Sequence, residues 1–210
     1  MNAADQFDVP AARAQAELLI KRSRFIATVD HVADRAAFGK LLDLQRADYP
    51  DAGHHCWAYV AGVPGDLRSA DKSDDGEPRG TAGRPMLNVL EHSGIGYVGA
   101  IVTRYFGGVK LGAGGLVRAY SQSVGAALDA LTRRTHFVTE RWTVTLPYAL
   151  LASVEHWLAT TPIQVTDKTF ADDVSVVLQV PLQQSQSARD MLATLGQGSI
   201  RVVGEQDEFG

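Results

Sequence analysis

Cysteine is all but absent from this chain. Cys56 is the only one in 210 residues, which excludes an internal disulfide and suits a reducing compartment. Long hydrophobic runs are missing too: none approaches the roughly 18 residues that a bilayer-spanning helix needs. The opening MNAADQFDVPAARAQ carries acidic residues and no apolar stretch, so no signal peptide is expected. There is no Walker A order, no G-x-G-x-x-G in a strand–helix frame and no G-x-S-x-G elbow around a serine. These absences argue against membrane spans, nucleotide folds of the common types and serine hydrolases. What remains is a soluble, cytoplasmic chain, 45% hydrophobic and 21% charged, with material for one large or two small domains.

Charge is unevenly spread. Residues 1–135 hold 16 Lys and Arg against 15 Asp and Glu, a balance of +1, while residues 136–210 hold 4 against 9, a balance of −5; together they give the −4 of the whole chain. Between Gly76 and Arg118 the basic residues are Arg79, Arg84, Arg104, Lys110 and Arg118, opposed by Glu77 and Glu91. A polyanion would meet that segment in preference to the C-terminal part.

Periodicity outlines the elements. Ala16–Ile20 and Phe25–Val29 flank the polar turn Lys21-Arg22-Ser23-Arg24 and read as a hairpin. Asp34 suits the N-cap of a helix reaching about Ala47. His54–Ala61 alternates as a strand, and Gly62–Gly83 reads as one long loop. Pro85–His92 is a helix, Ile95–Phe106 a buried strand, and Leu116–Arg134 the longest helix, with Arg133 and Arg134 at its negative end. After His136 the pattern runs strand, helix, strand, strand, helix, strand, the split βαβ order of ferredoxin-like domains. The predicted division is 1–135 and 136–210.

Three places invite a functional reading. The turn after Arg104 holds Gly107, Gly108, Gly112, Gly114 and Gly115 and precedes a helix. Free N–H groups and the positive end of a helix dipole at such a turn suit an anion. Five glycines also serve close packing, and the two readings weigh about equally until Arg104, beside the turn, favours binding. The loop Ser73–Gly83 sets Asp74, Asp75 and Glu77 close together, which fits either a solvated turn or, as second-rank candidates, oxygen ligands of a hard cation. His54-His55-Cys56 evokes zinc, but on a strand His54 and Cys56 share a face that His55 leaves, so structural roles are the better reading. Ser121 and Ser123 sit inside a helix. No acid–base pair stands out, so catalytic residues stay unassigned and no cofactor is expected.

Four separated motifs carry a family resemblance: K-R-S-R-F-I-A (21–27), H-C-W-A-Y (55–59), S-D-D-G-E-P-R-G-T-A-G-R-P (73–85) and R-Y-F-G-G-V-K-L-G-A-G-G-L-V-R-A-Y (104–120). Their order resembles the YigZ/IMPACT family. The resemblance implies an α+β architecture: a ribosomal protein S5 domain 2-like N-terminal domain, then a ferredoxin-like βαββαβ domain, both similar to parts of a translation elongation factor. It also implies a link to translation, since eukaryotic members regulate it under amino-acid starvation. It supplies no catalytic residue.

Two functions follow as expectations. One is a non-enzymatic module for RNA, the ribosome or a translation-linked protein, with Arg79, Arg84, Arg104, Lys110 and Arg118 around the glycine turn. The other is a small metal-assisted enzyme or a phosphometabolite- or nucleotide-binding protein, pairing Asp74, Asp75 and Glu77 with an anion on Lys110 and Arg104. Whether residues 66–83 fold back over Gly107–Gly115 separates them.

Overall fold

A computed structural model of the chain describes residues 6–205, so the extreme ends of the two expected domains, 1–5 and 206–210, lie outside the described residues. The described residues divide into two compact units, Phe7–His136 and the stretch from Phe137 onward, with which Gln6 groups.

The first unit, Phe7–His136, is built on a five-stranded sheet. The strands are β2 (Ala14–Ile20), β3 (Ser23–His31), β4 (His54–Val60), β5 (Ala70–Ser73) and β6 (Val98–Tyr105), in the order β2-β3-β6-β4-β5 with every neighbouring pair antiparallel. The central strand β6 is buried from Val98 to Arg104, as its unalternating apolar run demands. Helix α1 (Arg35–Asp48) covers one face through Phe38 and Leu41, which pack with Val32, Tyr59 and Ile101. Asp34 caps it by accepting from Ala37 N at 2.7 Å. Helices α2 (Gly83–His92) and α3 (Ala113–Asp129) cover the other face, where Phe25, Met86, Val102, Leu116 and Tyr120 form the larger core. Strands β1 (Gln6–Pro10) and β7 (Arg133–Phe137) pair as a small separate sheet.

Several boundaries depart from the periodicity. The loop predicted over Gly62–Gly83 contains β5, which hydrogen-bonds to β4 with Lys72 opposite Ala58. Its polar alternation hides it, because an edge strand needs only one apolar face. Helix α3 ends at Asp129, so Arg133 and Arg134 open β7 and do not complement the helix dipole. The hairpin turn shrinks to Lys21 and Arg22, both with positive φ (45° and 68°). Two-residue hairpins favour that twist, and Asn-Gly normally supplies it. Here two bulky residues hold it, at a cost of order 1–3 kcal/mol each.

The second unit takes the chain from Phe137. It runs β8 (Thr139–Leu146), α4 (Tyr148–Leu158), β9 (Gln164–Phe170), β10 (Val174–Pro181), α5 (Ser185–Gly196) and β11 (Arg201–Glu205). The antiparallel order β11-β8-β10-β9 is the ferredoxin-like arrangement. Trp142, Val144, Val176 and Leu178 meet Val154, Leu158 and Leu192 in its core. No helix among the described residues is long and apolar enough to cross a membrane.

Candidate functional site

The sheet sets the site by register. Arg104 lies opposite Phe25 of β3 on one side and His54 of β4 on the other. All three belong to the face covered by α2 and α3, the face of Ala100, Val102, Cys56 and Ala58. A guanidinium at that position is buried, and Arg104 is only 6% exposed. It is paired there: its Nη1 donates to Glu77 Oε1 at 2.5 Å, and its Nη2 lies 3.4 Å from Ser23 Oγ. The rings of Phe25 and Phe106 flank it, 5.3 and 5.6 Å from the guanidinium carbon. Its Nε–H has no partner among the described residues.

Glu77 reaches this place because the acidic loop reverses direction at Asp75 and Gly76, both with positive φ (41° and 86°), while Glu77 N donates to Asp74 O at 2.9 Å. The three neighbouring carboxylates therefore diverge. Asp74 turns toward the start of α2: Oδ1 accepts from Ala82 N (3.0 Å) and Gly83 N (2.8 Å), and Oδ2 from Gly80 N (2.7 Å). Burial opposes its charge, but those three donors prevail and hold its carboxyl below the ordinary range. Asp75 accepts from His55 N at 2.7 Å and from Arg46 at 3.4 Å. Glu77 also accepts from Tyr120 Oη at 2.8 Å. Asp74, Asp75 and Glu77 thus each have their own protein donors and face different partners, and no cluster of three metal-ligating side chains occurs among the described residues.

The other candidates have hydrogen-bond partners within the fold. Cys56 is fully buried, and its Sγ donates to Asp74 O at 2.9 Å; burial pushes its thiol far above the usual range. His54 Nδ1 lies 2.8 Å from Asp75 O, which fixes it as the protonated nitrogen because a carbonyl only accepts. Ser123 is buried, donating to Ala119 O.

The acidic loop and the glycine turn do converge. A cleft of about 510 Å³ is lined by His54, Glu77, Pro78, Arg104, Phe106 and the segment Lys110–Ala113 with Leu116. Helix α3 begins at its wall. Gly112 precedes it with φ 73° and ψ 164°, and no side chain caps the first turn. Two glycines there have separate reasons. Gly112 supplies a left-handed residue, whereas a Cβ on Gly107 would fall 2.0 Å from the Arg22 carbonyl carbon and oxygen. Gly107 N donates to Ser23 Oγ at 3.2 Å, so the hairpin tip is locked against the glycine turn.

The cations distribute unevenly. Arg84 pairs with Glu91 at 3.6 Å and lines a different groove of about 720 Å³ between α2 and α3, which Arg133 also lines. Arg104 is consumed by Glu77. Lys110, Arg118 and Arg79 are exposed and make no ion pair among the described residues. Lys21 and Arg22, also exposed and unpaired among the described residues, lie at the tip that Gly107 contacts. In the sequence those two read only as turn residues. Ser23 and Tyr120 were equally hidden, one inside a hairpin turn and one inside an apolar helix stripe.

Comparison with known proteins matches both units. Residues 21–128 match the Impact N-terminal domain, and residues 144–199 match a domain of unknown function (DUF1949). The chain is 37% identical over 195 residues to IMPACT family member YigZ of Escherichia coli (strain K12), covering 93% of this chain and 96% of that protein. It is 36% identical over 178 residues to an IMPACT family member of Haemophilus influenzae, covering 83% and 85%. IMPACT family member YvyE of Bacillus subtilis (strain 168) is 32% identical over 182 residues, covering 87% and 83%. A solved structure described as the crystal structure of an hypothetical protein superposes with a TM-score of 0.76 at 36% identity, covering 97% of this chain and 99% of that one. The chain belongs to the IMPACT family.

Proposed function

We propose that the first unit is a non-enzymatic RNA-binding module with a translation-linked role in the cytoplasm. The observation that carries this reading is the uncapped α3 N-terminus opening on a cleft whose nearby cations, Lys110 and Arg118, have no anionic partner among the described residues. Lys21 and Arg22 extend the positive rim, and Arg79 stands on the loop beside it. The second unit, with its −5 balance, is the poorer surface for a polyanion. The metal-assisted alternative has less support, because the three carboxylates it needs accept from different protein donors.

The test is fluorescence anisotropy of a labelled single-stranded RNA across a range of salt concentrations. Engagement of Lys21, Arg22, Lys110 and Arg118 predicts a log–log slope of about −2 to −3, at about 0.7 per neutralised phosphate. Lys110→Ala lowers the slope by about 0.7. Binding that ignores salt, or that Lys110→Ala and Arg118→Ala leave unchanged, overturns the reading.

A further inference from the structure

We infer that the cleft between the acidic loop and the glycine turn recognises a single nucleotide carrying a terminal phosphate, its base against Phe106 and its phosphate at the start of α3 beside Lys110. This rests on the RNA-binding reading and narrows it from a backbone to a chain end.

Four observations converge. The cleft, at about 510 Å³, has the dimensions of a small-ligand pocket, roughly 300–1,000 Å³. Its anion-attracting groups gather in one place, the uncapped N–H groups of the first turn of α3 with Lys110 next to them. Pro78, Leu111 and Leu116 form apolar wall, so a strand threaded through would bring further phosphates against surface that offers them nothing. Phe106 is 58% exposed even though the Arg104 guanidinium lies over its ring, which leaves aromatic surface free for a base.

Arg104 supplies the independent sign of a ligand. It lines the cleft, is 6% exposed, and keeps an Nε–H without a partner among the described residues. A buried guanidinium left one bond short is in a costly state that an acceptor bonding its Nε–H would relieve. A phosphomonoester, with charge between about −1.5 and −2, gains more from such a site than a monoanionic diester.

Anisotropy on full-length protein tests this, using an eight-nucleotide RNA with a 5′-phosphate, the same RNA with a 5′-hydroxyl, the 3′-phosphorylated form, and AMP as competitor. A terminally phosphorylated RNA should bind about tenfold tighter than its hydroxyl counterpart, with AMP competing. Lys110→Ala should erase that preference. Phe106→Ala should weaken all of them about fivefold or more, and the exposure of both side chains keeps the fold intact. Equal, salt-sensitive binding of phosphorylated and hydroxyl RNAs overturns the inference while leaving RNA binding standing. AMP binding without any RNA binding upholds the nucleotide pocket and overturns the RNA reading. No binding of any probe overturns both.

Discussion

Arg104 and Tyr120 donate to one and the same oxygen, Glu77 Oε1, at 2.5 and 2.8 Å inside the first domain. Strand, helix and loop are thereby tied at a single buried atom. Removing the carboxylate strands a guanidinium in the interior, so Glu77→Ala should lower the unfolding free energy by about 3–5 kcal/mol. Tyr120→Phe, which removes one hydrogen bond to a charged group, should cost about 1.5–3 kcal/mol. Urea unfolding followed by tryptophan fluorescence measures both, and a Glu77→Ala loss under about 1 kcal/mol would contradict the pairing.

Glycines 107 and 125 should respond in opposite directions. A Cβ at Gly107 overlaps the Arg22 backbone at 2.0 Å, so Gly107→Ala must displace the hairpin and should cost about 2 kcal/mol or more. Gly125 lies in α3 with open space, nothing within 4 Å, where a Cβ would stand. Gly125→Ala should therefore add about 0.5–1 kcal/mol. Thermal melting of the two variants against the parent protein checks the sign of each.

Lys21 and Arg22 should trade stability against binding. Replacing them with Asn-Gly puts residues that tolerate positive φ where the turn requires it and should raise stability by about 1–2 kcal/mol. The same change removes two rim cations and should flatten the salt dependence of RNA binding by about 0.7 for each phosphate left without its cation. A variant that gains stability and keeps the full salt slope would separate the turn from the site.

Asp74 should matter for loop order and not for metal. Asp74→Ala removes the acceptor of Gly80, Ala82 and Gly83 N–H groups and should cost about 1–2 kcal/mol. Added Mg²⁺ should leave the melting temperature of parent and variant unchanged. A magnesium-dependent rise that Asp74→Ala abolishes would restore the cation site.

Acidification should weaken the first domain. Burial lowers the affinity of His31, His55 and His136 for protons, and Arg134 adds to this for His31 and His136. Below their ordinary value near 6.5 the unfolded chain binds more protons than the folded one, so stability is full above that pH and falls beneath it. Asp74, whose carboxyl is held low, removes a further increment as pH drops below 3.8. Urea unfolding at pH 7 and pH 5.5 should show the decline, and His55→Gln should make it shallower.

Much of the fold was readable from the chain. The β6 strand, the α1 cap at Asp34 and the βαββαβ order of the second domain follow from periods and caps that tertiary contacts did not override. The separation of His54 and Cys56 from His55 followed from strand alternation. For the acidic loop, which fits a solvated turn or second-rank oxygen ligands, spacing in sequence does not fix proximity in space. Two left-handed residues, Asp75 and Gly76, turn consecutive carboxylates to different partners. The sequence sets Arg104 beside the glycine turn as an anion-binding cation. Its burial depends on Glu77, 27 residues away, and no local pattern announces such a pair.

Strand β6, which carries Arg104, is bonded along both edges, to β3 and β4, and its successive residues alternate between the α1 face and the α2–α3 face. A slip of one residue would send the guanidinium toward Gln45 of α1, where Thr103 now accepts a hydrogen bond at 3.2 Å, and leave the cleft a neutral side chain. The charge in the cleft is thus addressed by the alignment of the whole sheet. Damage far from the glycine turn can erase the site while every residue lining it stays the same.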